Sequence, residues 1–211
     1  MTRMRRSARI AIGLAAGGLA GCDRLRPPAF HGAAIEPPAP APALRLPIAP
    51  AVRDTPAPPP DPGRTFDLAR VTADSGHAAL VFFGYTHCPD VCPTTLADWT
   101  RVKRLLGADA ARARFVFVTV DPERDAPAAV GRYVAQFDTS FVGLAGSRAA
   151  VDSVQRAWGI ASFRDGGSDG AYTVAHPARV FAIDPEGRLR LTYSLGARPD
   201  DVAADLRQLL R

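Results

Sequence analysis

The sequence predicts a single α/β domain of mixed central sheet and flanking helices, carried behind an export signal and a proline-rich lead-in. Three observations support this. Short apolar runs of strand length, at 78–85 and 115–120, alternate with stretches whose apolar residues recur every three or four positions. The 211 residues, 47% hydrophobic and 22% charged, suit an ordinary globular domain with additions. Thirteen of the twenty prolines fall in residues 27–62, and from Thr65 onward the pattern becomes regular.

Each element has its own reason. Residues 66–72 alternate enough for a strand, and 78–85 (AALVFFGY) read as a buried strand ending near Gly84. Residues 93–106 place Leu96, Trp99, Val102, Leu105 and Leu106 at helical spacing. The run FVFVTV at 115–120 is a second buried strand, closed by Asp121-Pro122. Residues 126–137 form a helix with Val130, Val134 and Phe137 on one face, and 141–144 a brief strand. Ser147 is placed to cap a helix reaching about residue 158. Residues 159–173 read as a loop, rich in Gly, Ser and Asp. Residues 179–183 and 189–195 flank Pro185-Glu186-Gly187 as a hairpin, and 200–210 close the chain as a helix. The order βαβα then ββα is that of the thioredoxin-like fold with inserts.

The N-terminus reads as targeting. Arg3, Arg5, Arg6 and Arg9 precede a small, apolar stretch over 10–20 that is too short to span a bilayer comfortably. It ends in Leu19-Ala20-Gly21-Cys22, which resembles a bacterial lipobox; that resemblance implies a lipid on Cys22 as the mature N-terminus. An ordinary signal peptide or an uncleaved anchor are the alternatives. Asp23 resembles an inner-membrane retention signal, so the expected place is the periplasmic face of a bacterial inner membrane. The expected division is a signal over 1–21, a lipid-anchored extended tether over 22–62, and the folded domain over 63–211. Setting aside the signal leaves 22 basic against 21 acidic residues. The charge of +5 therefore belongs largely to the signal, and nucleic acid is not expected as a partner.

The chemistry lies in His87-Cys88-Pro89-Asp90-Val91-Cys92-Pro93, where a buried strand hands over to a helix. Free N–H groups and the positive end of the helix dipole stabilise thiolate there, and Pro93 suits a first turn because it needs no donor. Two cysteines four apart can close a disulfide or chelate a soft cation. A loop of three intervening residues closes too little chain to be a useful structural staple. With these as the only cysteines past Cys22, a four-cysteine zinc site within one chain is excluded. A third donor would come from the histidines. His31 lies in the tether, His77 in a polar turn, and His87 beside Cys88 but facing away, though near enough to stay a candidate. His176 stands just before the 179–183 strand, near the cysteine loop in a thioredoxin-like layout. Two thiolates and an imidazole form a soft set suited to copper, and no methionine follows Met4 to offer a thioether.

The segments GYTHCPDVCPTTL (84–96), VDPERDAP (120–127) and FAIDPEGRL (181–189) resemble the SCO/SenC copper chaperones of cytochrome oxidase assembly. The resemblance covers about residues 63–211. It implies a thioredoxin fold, copper held by Cys88, Cys92 and His176, and delivery to a respiratory oxidase, commonly its copper subunit. This chain departs from the family in having Ala175 where an Asp usually precedes the ligand His, and Pro177 after it. Tyr172 is retained, and Asp169 is a carboxylate positioned to substitute in part. Two other chemistries use the same cysteines: a thiol-disulfide reductase, which does not need His176, and a thiol peroxidase, which needs an activating arginine that the local sequence lacks.

Overall fold

A computed structural model describes residues 29–50, 64–167 and 171–211. The signal, Cys22, residues 51–63 and Asp169 lie outside the described residues.

Among the described residues six strands form the central sheet, in the spatial order β1 (Ala33–Pro40), β10 (Arg188–Ser194), β9 (Arg179–Ile183), β4 (Ala78–Gly84), β5 (Ala113–Thr119) and β6 (Val142–Leu144). Its centre is β4 (Ala78–Gly84) and β5 (Ala113–Thr119), paired in parallel and almost wholly buried. The parallel edge strand is β6 (Val142–Leu144). On the other side β9 (Arg179–Ile183) adds antiparallel to β4, and β10 (Arg188–Ser194) adds antiparallel to β9. Successive side chains of β4 point to opposite faces. Phe82 meets Trp99 of helix α1 (Val91–Leu106) on one face. Phe83 meets Trp158, at the end of α3 (Arg148–Ala157), on the other. Helix α2 (Pro127–Ala135) packs on β6, and α4 (Pro199–Leu209) packs on α1. Ser147 caps α3 as expected, its hydroxyl accepting from the Ala150 N–H.

Three expectations are corrected. The tether assigned to 22–62 is not a free spacer over residues 29–50. There β1 (Ala33–Pro40) adds to the sheet edge against β10, and β2 (Arg45–Pro47) pairs with β3 (Thr65–Asp67). Prolines lack a donor, yet an edge strand tolerates them, and the β1 register breaks between Ala34 and Ala39, around Pro37 and Pro38. Leu44 and Leu46 are buried in the core, so the domain begins well before residue 63. Second, the strand expected over 66–72 stops at Asp67. The Thr72 hydroxyl donates to the Leu68 carbonyl four residues back, and Arg70–Asp74 wind into a helical turn. Third, the loop over 159–173 contains a strand: β7 (Phe163–Asp165) pairs with β8 (Thr173–Ala175), which brings the chain to His176.

Candidate metal centre

The sheet delivers the cysteine loop at the carboxyl end of β4. The Cys88 N–H closes a turn on the Tyr85 carbonyl at 3.3 Å, and α1 starts three residues later. Asp90 precedes the helix without capping it through its side chain. The Cys92 N–H instead donates to Cys88 Sγ at 3.4 Å. A sulfur therefore does the work of an N-cap oxygen, accepting a donor that the helix start leaves over.

That arrangement separates the two thiols. Cys88 is half-buried and pulled down to about 5, first by the hydrogen bond from the Cys92 thiol, then by backbone N–H groups of Cys92, Asp90 and Val91, against the opposing effect of burial. Cys92 is fully buried and pushed well above the ordinary thiol value, by that same bond and by burial. At neutral pH Cys88 is the thiolate and Cys92 the thiol that donates to it. Neither sulfur is in a disulfide. Cys92 Sγ also has a floor: a Cβ at Gly84 would lie 2.8 Å from it and 2.8 Å from the Phe117 ring. Glycine at 84 makes room for that sulfur.

His176 follows β8 directly. Its ring stands edge-on to Phe82 and Tyr85, with centroids 6.2 and 5.9 Å away. Burial lowers its pKa, while the neighbouring Cys88 charge acts in the other direction. The neutral ring that donates its Nδ1–H to the Pro177 carbonyl, 3.2 Å away, keeps its lone pair on Nε2. In a family pattern with Asp at 175, a carboxylate could orient the ring; here a backbone carbonyl does so. The structure thus brings His176 to the end of the sheet that carries Cys88 and Cys92. Among the described residues, no three His, Cys, Asp or Glu side chains are gathered closely enough to hold a metal ion together.

The other histidines stand elsewhere. His87 points outward, bonding Thr86 Oγ1 at 3.1 Å and lying 3.6 Å from Asp125. His77 pairs with Arg114 at 2.8 Å instead of facing open solvent. His31 binds Asp205, across the sheet edge.

Three residues of the VDPERDAP segment, Asp121, Arg124 and Asp125, support the site and carry no role in the sequence reading. Buried Asp125 accepts the N–H and hydroxyl of Thr86, at 3.1 and 2.6 Å, and the hydroxyl of Thr119 at 2.6 Å. It anchors the cysteine loop to β5. Arg124 Nε donates to Asp121 at 2.5 Å and Nη1 to the Tyr172 carbonyl at 2.8 Å, while the Tyr172 hydroxyl donates to Asp121 at 2.8 Å. The guanidinium lies 3.5 Å from the Tyr172 ring centre and 5.8 Å from that of Tyr85. An arginine is thus close to the cysteine loop after all. It ties the strand leading to His176 onto the turn after β5.

This fold and site define a thioredoxin-like protein with an activated dithiol and a nearby neutral imidazole. The family model described as SCO1/SenC matches residues 65–211, and the chain belongs to that family. A zebrafish (Danio rerio) relative, "Protein SCO2 homolog, mitochondrial", is 35% identical over 139 residues, 64% of this chain and 50% of the relative. This chain covers 50, 65 and 51% of the first three curated relatives it matches, so it spans roughly half to two thirds of their length. The solved structure of Bradyrhizobium japonicum ScoI with copper bound is 33% identical, with a TM-score of 0.68 over 81% of this chain and 99% of that one. The apo Sco1 protein from Thermus thermophilus is 34% identical, with a TM-score of 0.70 over 86% and 97%.

Proposed function

We propose that this chain is a copper chaperone, held to the periplasmic face of a bacterial inner membrane by a lipid on Cys22, that delivers copper to a respiratory cytochrome oxidase during assembly. Copper is the cargo, with Cys88, Cys92 and His176 as its donors. The observation that carries the reading is the low-pKa Cys88 thiolate beside Cys92, with a neutral imidazole at the next strand end. Membership of the SCO1/SenC family and the likeness to a copper-bound relative support it. Copper binding would release the Cys92 proton; two thiolates then suffice for Cu(I), and the imidazole adds a harder donor suited to Cu(II). The three donors are not gathered among the described residues, so copper binding would have to draw His176 and the two sulfurs together.

One observation favours a second reading, a thiol-disulfide reductase. A depressed, half-exposed Cys88 and a buried Cys92 are the division of labour between an attacking and a resolving thiol. Oxidase activity in cells at limiting copper separates the two. Delivery predicts impaired oxidase with His176→Ala as well as with Cys88→Ser. Full activity with His176→Ala, together with loss in Cys88→Ser, would favour the reductase.

A further inference from the structure

The register of the sheet gives the direction in which the chain enters the domain. Phe82 of β4 pairs with Val180 of β9, and Val180 with Tyr193 of β10. Ala33 of β1 pairs with Thr192. Because β1 runs antiparallel to β10, Gly32 and His31 come level with Tyr193 and Ser194, and hence with Phe82 and Phe83. The described start of the chain therefore lies at the same end of the sheet as Cys88, Cys92 and His176. Two strands separate β1 from β4, a lateral offset of about 15 Å.

This entry point is tied down. The His31 and Gly32 N–H groups donate to the Asp205 carboxylate at 3.0 and 2.9 Å, the His31 ring meets it at 2.8 Å, and the Tyr193 hydroxyl donates to it at 3.0 Å. Phe30 packs against the core beside it. Cys22 is nine positions upstream of His31. Nine residues reach at most about 30 Å when fully extended, less than half the reach of a forty-residue lead-in.

Exposed apolar side chains share this end. Phe163 is 63% exposed and pairs with Ala175, next to His176. Leu195 is 54% exposed and follows Ser194, the last residue of β10. The third large exposed hydrophobic among the described residues, Leu105, lies at the far end of α1.

We infer that a membrane anchor at Cys22 holds the domain with its metal-site end turned toward the bilayer, Phe163 and Leu195 leading, instead of letting it swing on a long spacer. This inference rests on the lipid-anchor reading above. An acceptor at the membrane surface would then meet Cys88 and His176 without the domain having to turn over.

The test uses the full-length lipidated protein carrying Cys88→Ser and Cys92→Ser, labelled with a donor dye at Leu195→Cys, Phe163→Cys or Leu105→Cys. Each is placed in phosphatidylcholine–phosphatidylglycerol vesicles with an acceptor on the lipid headgroup. Helix α1 separates the two ends by about 20 Å. Energy transfer from positions 195 and 163 is expected to be severalfold stronger than from 105. Equal or stronger transfer from 105, in a protein whose mass shows lipid on Cys22, overturns the inference and leaves the anchor standing. A mass without lipid on Cys22 overturns the anchor reading and the inference with it.

Discussion

Cys88 sulfur occupies the place at the start of α1 where a Ser, Asp or Asn oxygen would ordinarily accept. The same N–H groups that would need a cap lower its pKa, so capping and activation are one arrangement. Alkylation of Cys88 in the reduced protein is therefore expected to rise with pH only to about 5 to 6 and then level off. An unactivated thiol is only half ionised at about pH 8.5, so its rate continues to rise beyond that. Mass-resolved labelling across pH checks this, and a Cys88 profile that still climbs at pH 8 contradicts it. Gly84 is the other residue on which the site depends. Gly84→Ala puts a methyl 2.8 Å from Cys92 Sγ and from Phe117, so the sulfur or the ring must move. Overpacking of this kind costs about 1–3 kcal/mol. The variant is expected to lose that much stability in denaturant and to bind Cu(I) more weakly. Unchanged stability and affinity would show that the contact is unimportant. Cys88, Cys92 and His176 stand out in sequence as candidate donors because their atoms announce that chemistry. Gly84 was not, because its role is an absence of atoms, visible only once Cys92 and Phe117 are set against it.

At the scale of elements, the N-terminal strap is the main departure from sequence reasoning. Proline content argued for an extended spacer, and β1 is indeed extended, but it is paired and followed by core residues. The signal that could have found it is the alternation Leu44-Arg45-Leu46, a short strand pattern inside the proline-rich run. Leu46→Ala is expected to cost about 2–5 kcal/mol, as for a buried leucine. A free spacer would lose almost nothing, and urea denaturation distinguishes the two. The strap also carries a pH dependence. The hydrogen bond to Asp205, with added attraction from Asp205 and Asp201, raises the His31 pKa against burial and Arg198. A raised pKa means the charged ring favours the folded strap. Its contribution is full below the ordinary histidine value and is lost as pH rises through the raised one. Protection of the Gly32 and Ala33 amides, corrected for intrinsic exchange, is expected to fall over that range, and His31→Ala should flatten the trend. An unaltered trend in His31→Ala would assign it to another group. The backbone bonds to Asp205 persist throughout, so the strap loosens without detaching.

For the molecule as a whole, the central strands and the α-helices α1 to α4 of the described residues could be read from sequence, since β4 and β5 are continuous apolar runs and the helices carry clear periodicity and, in α3, a cap. The Asp121–Arg124–Tyr172 tie could not, because its partners are 48 to 51 residues apart and no local pattern marks them. The β7–β8 hairpin, short and mostly exposed, was hidden for a related reason: pairing across a loop, not burial, defines it. These long-range contacts hold the strand that leads to His176, whose ring stands against Phe82 and Tyr85 at the cysteine-loop end of the sheet. The anchor belongs to this scale too. Cys22→Ser is expected to abolish lipid attachment and leave an immature or mislocalised protein, as lipid labelling and membrane fractionation would report; normal lipid labelling of that variant contradicts the lipobox reading.

In the proposed function Cys88, Cys92 and His176 act as one copper-binding unit. The most direct measurement is copper binding by the reduced protein against a competing chelator, in both oxidation states, repeated for Cys88→Ser, Cys92→Ser, His176→Ala and the oxidised protein. The predicted result is one copper per chain, loss of tight binding in either serine variant and in the Cys88–Cys92 disulfide form, and a His176→Ala protein that loses far more affinity for Cu(II) than for Cu(I). Undiminished one-to-one Cu(I) binding by the oxidised protein or by a serine variant would place the copper elsewhere and contradict the account.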